Sequence, residues 1–226
     1  MIKARISKPD IKTVLCGIGM PDSVSDPAFL ARIEKFLELA CQTAKPKLVY
    51  RILGIRSEEN GIRIEGTDTV LSGNDIQKHL SGCEKAAFLA LTLGTEPEKL
   101  LLRSDPADAL ILDGCFSVLT EQACDSFETD LREKLSESGL FLTGRFSPGY
   151  GDLPILLQND LLNILNAERT AGLTVSGSGI LLPRKSVTAI LGVSEHRAAG
   201  YLAGCENCAI KERCSYRKEG KTCGNR

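Results

Sequence analysis

Tryptophan is absent from the 226 residues, and histidine occurs only as His79 and His196. Two histidines cannot build a multi-histidine metal centre. Excess charge is missing as well: 28 Lys and Arg face 29 Asp and Glu, a formal net charge of −1. That balance excludes a chain that grips nucleic acid or anionic lipid through bulk electrostatics. No uninterrupted apolar run approaches the roughly 20 residues of a membrane span. The opening Met1-Ile2-Lys3-Ala4-Arg5 has neither an apolar signal core nor a small-residue cleavage site, so the expectation is a cytoplasmic protein. A Gly-x-x-x-x-Gly-Lys phosphate loop, a Gly-x-Gly-x-x-Gly turn after a strand and a His-Glu-x-x-His pair are all absent, which removes the usual nucleotide and metalloprotease signatures. No internal repeat or low-complexity stretch is visible.

What the chain has in excess is cysteine, nine in all. In a reducing compartment disulfides are disfavoured, and clustered thiols point to metal or redox chemistry. Cys16, Cys41, Cys83, Cys115 and Cys124 are scattered singly among apolar residues and read as small core residues. Cys205, Cys208, Cys214 and Cys223 crowd into the last 22 positions with the spacing Cys-x2-Cys-x5-Cys-x8-Cys. Four thiolates can close a tetrahedral zinc site or hold an iron–sulfur cluster, although the run is not that of bacterial ferredoxins. A disordered reducing tail and a transient disulfide are the alternatives. The domain reading is therefore one domain over residues 1–200 and a Cys-rich tail over 201–226.

Periodicity supplies the elements. Asp26-Pro27 is an N-cap followed by proline at the first helical position, and Phe29, Ile33, Phe36, Leu37 and Ala40 form the apolar face of the helix it starts. Residues 47–57 and 62–64 flank Glu58-Glu59-Asn60-Gly61, whose Asn-Gly predicts a hairpin. A short helix near Asn74–Leu80 precedes the buried strand Ala86–Leu91. Leu112, Phe116, Leu119, Ala123, Phe127, Leu131 and Leu135 predict a long amphipathic helix over 106–137, stopped by Gly139. A strand over Leu140–Thr143, a helix from about Pro154 to Ala167 with Leu156, Leu157, Leu161 and Leu165 inward, and strands at Leu173–Ser176 and Ser186–Leu191 complete the reading. Elements mixed without regular alternation, with a hairpin early, predict an α+β fold: a mixed, largely antiparallel twisted sheet with long amphipathic helices.

The richest segment is Gly144-Arg145-Phe146-Ser147-Pro148-Gly149-Tyr150-Gly151-Asp152. Pro148-Gly149 suits the centre of a type II turn. Such a turn would hold Arg145, Ser147 and Tyr150 close together: a two-pronged carboxylate partner, exposed backbone amides and a flat aromatic face. A tight strand-to-helix connection without a ligand fits the same residues equally well.

Arg145-Phe146-Ser147-Pro148-Gly149-Tyr150 resembles the Arg-x-x-Pro-Gly-Tyr signature of the activation (reactivation) domain of vitamin B12-dependent methionine synthase. The following Gly151-Asp152-Leu153-Pro154 looks like the variant of free-standing members. Ala109–Asp113 and Leu119–Ala123 upstream, and Gly172–Ser176 and Pro183–Ile190 downstream, match in order, so the resemblance spans about residues 85–195. The large multidomain enzymes continue with Pro-Ala-Cys-Pro-Asp-His instead, and no residue here is assigned to their N-terminal ligand-binding aspartate.

The resemblance implies a domain that binds S-adenosylmethionine and presents its methyl group to cobalamin held by a partner. It maps the carboxylate-binding arginine to Arg145, backbone contacts to Ser147 and the tyrosine beside the corrin to Tyr150. It also implies methylation of cob(II)alamin after one-electron reduction by a donor protein of flavodoxin or ferredoxin type. The chain would then be a methyltransferase component of methionine biosynthesis, active only with a corrinoid partner, with no catalytic base of its own. Two other readings fit the same residues: a non-catalytic docking module for a corrinoid protein with a structural zinc tail, and an iron–sulfur redox activator.

Overall fold

The computed structural model describes residues 2–21 and 23–196. The boundary at 200/201 and the four tail cysteines lie outside the described residues.

The centre of the fold is the apolar run already visible at 86–91. It forms β4 (Lys85–Thr92), flanked antiparallel by β1 (Lys47–Glu58) on one side and β8 (Ser186–Ser194) on the other. Every residue from Ala86 to Leu91 is fully buried, because this strand is covered on both faces. β1 pairs with β4 through Gly54 and then, from Ile55 to Glu58, with β2 (Gly61–Ile64) across the Asn-Gly turn. β3 (Val70–Leu71) adds to β2, and β5 (Phe141–Leu142) adds to β8 at the other edge. The six strands run β3-β2-β1-β4-β8-β5. Each of these pairings is antiparallel, so the expectation of an α+β fold with a largely antiparallel sheet holds.

Alternation along β4 divides the interior in two. Ala87, Leu89 and Leu91 face a core closed by α1 (Ile11–Gly17), α2 (Pro27–Thr43) and α5 (Pro106–Ser136), while α4 (Glu96–Arg103) lends Leu100 and Leu101 to its rim. Ala86, Phe88 and Ala90 face a second core closed by α3 (Asn74–His79), α6 (Leu157–Leu165) and α7 (Ala167–Ala171). A two-stranded ribbon, β6 (Thr174–Val175) with β7 (Leu181–Leu182), lies over the second core.

The long helix begins as its sequence demands: Asp105 accepts the Ala107 N–H at 3.0 Å, with Pro106 in the first turn. Asp26 does the same for α2 through Ala28. Several expectations are corrected. The helix expected over 154–167 begins at Leu157 and breaks at Asn166, whose left-handed φ of 50° separates α6 from α7. Leu156 thereby lies outside the helix and is exposed rather than inward. The strand expected at Leu173–Ser176 is β6, and the segment after it, read wholly as a loop, supplies its hairpin partner β7, the turn closed by Ser176 N–H to Ile180 O at 2.8 Å. Cys115 and Cys124 are buried and Cys41 and Cys83 half-buried, but Cys16 is exposed and no part of the core. Among the described residues no helix is long and apolar enough to cross a membrane.

Candidate ligand site at the sheet edge

After β5 the chain keeps to the edge of the sheet. Phe146 and Ile190 of β8 exchange backbone hydrogen bonds of 2.9 and 2.8 Å, which fixes the alternation of side chains at this corner. Phe146 enters the second core, 5.2 Å from the His79 ring, so Arg145 turns to the opposite face and meets α5. There Nη1 donates to Glu128 Oε2 at 3.0 Å, while Nη2 donates to Asp125 Oδ1 at 2.7 Å and to Glu121 Oε2 at 3.2 Å. Positions 121, 125 and 128 lie along one stripe of a helix, so α5 offers all three carboxylates at once. Glu128 is shared with Arg132 at 2.7 Å, and Arg132 also donates to the carbonyl of Leu142. Three carboxylates and two guanidiniums leave this cluster one negative charge in excess.

The Arg145 side chain is only 20% exposed. Burial works against its charge, but the neighbouring Cys124 and the Asp125 and Glu128 carboxylates outweigh that and raise its pKa above the ordinary arginine value. Cys124, immersed beside it, has its thiol pushed up to about 12 by burial.

Beyond Phe146 the loop makes two successive turns. Tyr150 N–H donates to Ser147 O at 3.1 Å with Gly149 at φ +92°, the type II turn that Pro148-Gly149 predicts. Leu153 N–H then donates to Tyr150 O at 3.1 Å, and Gly149 N–H to Leu153 O at 2.9 Å. The amides of Gly149 and Tyr150 are thus engaged inside the loop. A side chain at 149 would come within 2.8 Å of Ile155 Cδ1, and one at 179 equally close to Ile155 Cγ1. Ile155 therefore wedges the loop against the β6–β7 hairpin. Beside it opens a cleft of about 330 Å³ lined by Leu156, Asn159, Val175, Ser176, Gly177 and Gly179.

Of the three residues singled out in the sequence, Arg145 is held on α5, Ser147 is half-buried with its carbonyl closing the turn, and Tyr150 projects with 68% of its surface exposed. Glu121, Asp125 and Glu128 were not anticipated. Their spacing of four and three on a helix was the available signal, but the same spacing describes any solvated helix face. Asp152 was also missed: its carboxylate accepts the Asn74 and Asp75 N–H groups at 2.6 and 3.0 Å. Among the described residues no group of three or more His, Cys, Asp or Glu side chains could hold a metal ion.

No family model matches the chain, and no curated protein matches it in sequence. Among solved structures it is similar to the crystal structure of the MetH reactivation domain bound to AdoHcy, with a TM-score of 0.60 and 14% sequence identity. The match covers 96% of this chain and 86% of that one. The two chains share a fold.

Proposed function

We propose that this chain binds S-adenosylmethionine at the Arg145–Tyr150 corner and serves as a reactivation component. In this reading it supports reductive methylation of cob(II)alamin carried by a partner corrinoid protein, a cobalamin-dependent methionine synthase. The observation that carries the reading is the coincidence of fold and motif. A chain with the architecture of a domain that holds AdoHcy carries Arg-x-x-Pro-Gly-Tyr at an exposed corner of its sheet edge.

The charges suit the ligand. S-adenosylmethionine carries a carboxylate, an ammonium and a sulfonium, a net charge of +1, against the single negative excess around Arg145. Its carboxylate would replace the weakest partner of Arg145, the exposed Glu121 at 3.2 Å, leaving that acid to face the ligand's positive groups. The sulfonium makes the methyl group electrophilic, so transfer to reduced cobalt needs placement rather than a general base from this chain. Tyr150 projects with 68% of its surface exposed, and in this reading it would meet the corrin face. A separate reductant of flavodoxin or ferredoxin type and a zinc or iron–sulfur tail on Cys205, Cys208, Cys214 and Cys223 belong to the same proposal.

Titration calorimetry tests the site. The native protein should bind S-adenosylmethionine, and Arg145→Ala should largely abolish binding while circular dichroism shows the variant folded. Unchanged affinity in that variant would refute the assignment. The activity is read by mixing the protein with a cob(II)alamin-loaded partner, reductant and S-adenosylmethionine and following methylcobalamin in the visible spectrum. Complex formation without methylation would turn the reading towards a docking module.

A further inference from the structure

We propose that helix α3 is the mount of the signature loop, and that Asp152 and His79 are positioning residues which hold Arg145 and Tyr150 in place without touching the ligand. The ligand half of this inference rests on the S-adenosylmethionine reading above; the mount itself stands on geometry alone.

α3 has six residues, and the residue before it, Gly73, has no side chain to satisfy its first N–H groups. That task falls to Asp152, 78 positions further along the chain, whose two carboxylate oxygens take Asn74 N–H and Asp75 N–H separately. The approach is close from both sides. A Cβ at Gly73 would lie 2.5 Å from Asp152 Oδ1, and one at Gly151 would run into the Asp75 carboxylate. At the other end of α3, the fully buried His79 meets Thr143 Oγ1 through Nε2 at 3.0 Å and packs against the Phe146 ring at a tilt of 37°. Thr143 Oγ1 also receives the Gly192 N–H at 2.8 Å, which ties the same point to β8.

The segment 143–152 is therefore pinned to one helix at both ends. Arg145, Ser147 and Tyr150 lie in the span between the pins. This gives a role to the Gly151-Asp152 dipeptide, the point where the sequence departs from the large multidomain enzymes: its glycine admits the helix and its aspartate grips it. Since a displacement of about 1 Å at a positioned group is enough to cost on the order of a hundredfold in rate, a loop that carries both ligand contacts needs such a mount.

Hydrogen exchange and calorimetry on the full chain test this together. In Asp152→Ala, the amides of Asn74, Asp75, Gly149, Tyr150 and Leu153 should exchange about tenfold faster or more, with those of β4 and β8 unchanged, as expected when a cap is lost from one short element. S-adenosylmethionine affinity should fall by a similar factor. Asp152→Asn retains one acceptor oxygen and should lie between the two, and it provides a folded comparison if the alanine variant is unstable; a general loss of stability would instead speed exchange in β4 and β8 as well. Unaltered exchange in the loop would overturn the mount. Faster exchange with undiminished affinity would overturn the positioning role. If the native protein binds no S-adenosylmethionine, that refutes the ligand reading and the ligand half of this inference, and the exchange pattern alone decides whether α3 mounts the loop.

Discussion

A guanidinium as enclosed as that of Arg145 needs its charge answered, and α5 answers it three times over. The consequence is that Arg145 does two jobs. Truncating it would leave Glu121, Asp125 and Glu128 facing one another at helical spacings, where each like-charge pair destabilises by about 0.2–0.5 kcal/mol. For that reason the folded state must be checked before lost ligand affinity in Arg145→Ala is read as a lost contact. Burial protects the cysteines of α5. Burial raises the thiols of Cys115 and Cys124 to about 12, so at pH 8 neither supplies a reactive thiolate. Iodoacetamide labelling followed by peptide mapping should therefore modify exposed Cys16 first among the five described cysteines. Cys41 and Cys83, half-buried and with pKa values raised by burial, should follow slowly, and Cys115 and Cys124 only on unfolding. Labelling of Cys124 at the rate of Cys16 would contradict its placement behind Arg145. At this scale the sequence shows which side chains can do chemistry but not what they touch. The type of Arg145 and the turn at Pro148-Gly149 are legible because they depend on local chemistry. The acids that surround Arg145 are not, because only the packing of a distant helix across the sheet edge selects them.

Elements with a strong local signal are those that sequence reading recovers: α2 and α5 from their aspartate caps and N-terminal prolines, the β1–β2 hairpin from Asn-Gly, and β4 from its unbroken apolar run. The elements missed are short. α1, α4, α7, β3 and β7 have eight residues or fewer, and β3 and β7 have two each, too few to establish a period. α3 was legible as a helix, but not its cap, since that comes from a loop far along the chain. The cap makes a testable statement about pH. Hydrogen bonds from the Asp75 and Asn74 N–H groups hold the Asp152 carboxyl below its ordinary value. A depressed native pKa stabilises the fold above the unfolded aspartate value of about 3.9, and that contribution is lost as pH falls towards the native value. Denaturation midpoints of the native protein and Asp152→Asn, measured from pH 7 to pH 3, should therefore differ by a constant gap at the upper end. The gap should close as the solution is acidified below about pH 4. A gap that widens on acidification would show that the carboxylate is not the species gripping α3.

Across the whole molecule, one strand decides whether the two helical layers act as one body. β4 contributes Ala87, Leu89 and Leu91 to the core beneath α5 and Ala86, Phe88 and Ala90 to the core beneath α6, so neither layer can detach without exposing the strand that supports the other. The segment 143–152 crosses between the layers as well: Arg145 is held by α5 on one face, Thr143 and Asp152 by α3 on the other. The fold therefore predicts a single cooperative transition that perturbation of either core displaces. Phe116→Ala in the first core and Phe88→Ala in the second each remove a fully buried ring, a loss of about 3–5 kcal/mol. The chain lacks tryptophan, so tyrosine emission is the fluorescence available; of its four tyrosines, half-buried Tyr50 packs 5.0 Å from Phe127 of α5 and reports on the first core, whereas Tyr150 is already exposed. In both variants far-UV circular dichroism and tyrosine emission should trace one coincident curve at lower denaturant. Separated curves in Phe88→Ala, with the Tyr50 signal retained while helicity is lost, would show that the layers unfold independently. The Arg145–Tyr150 corner would then join two units rather than lie on one, and, under the proposed function, S-adenosylmethionine holding the segment that spans them would stabilise the junction instead of the whole.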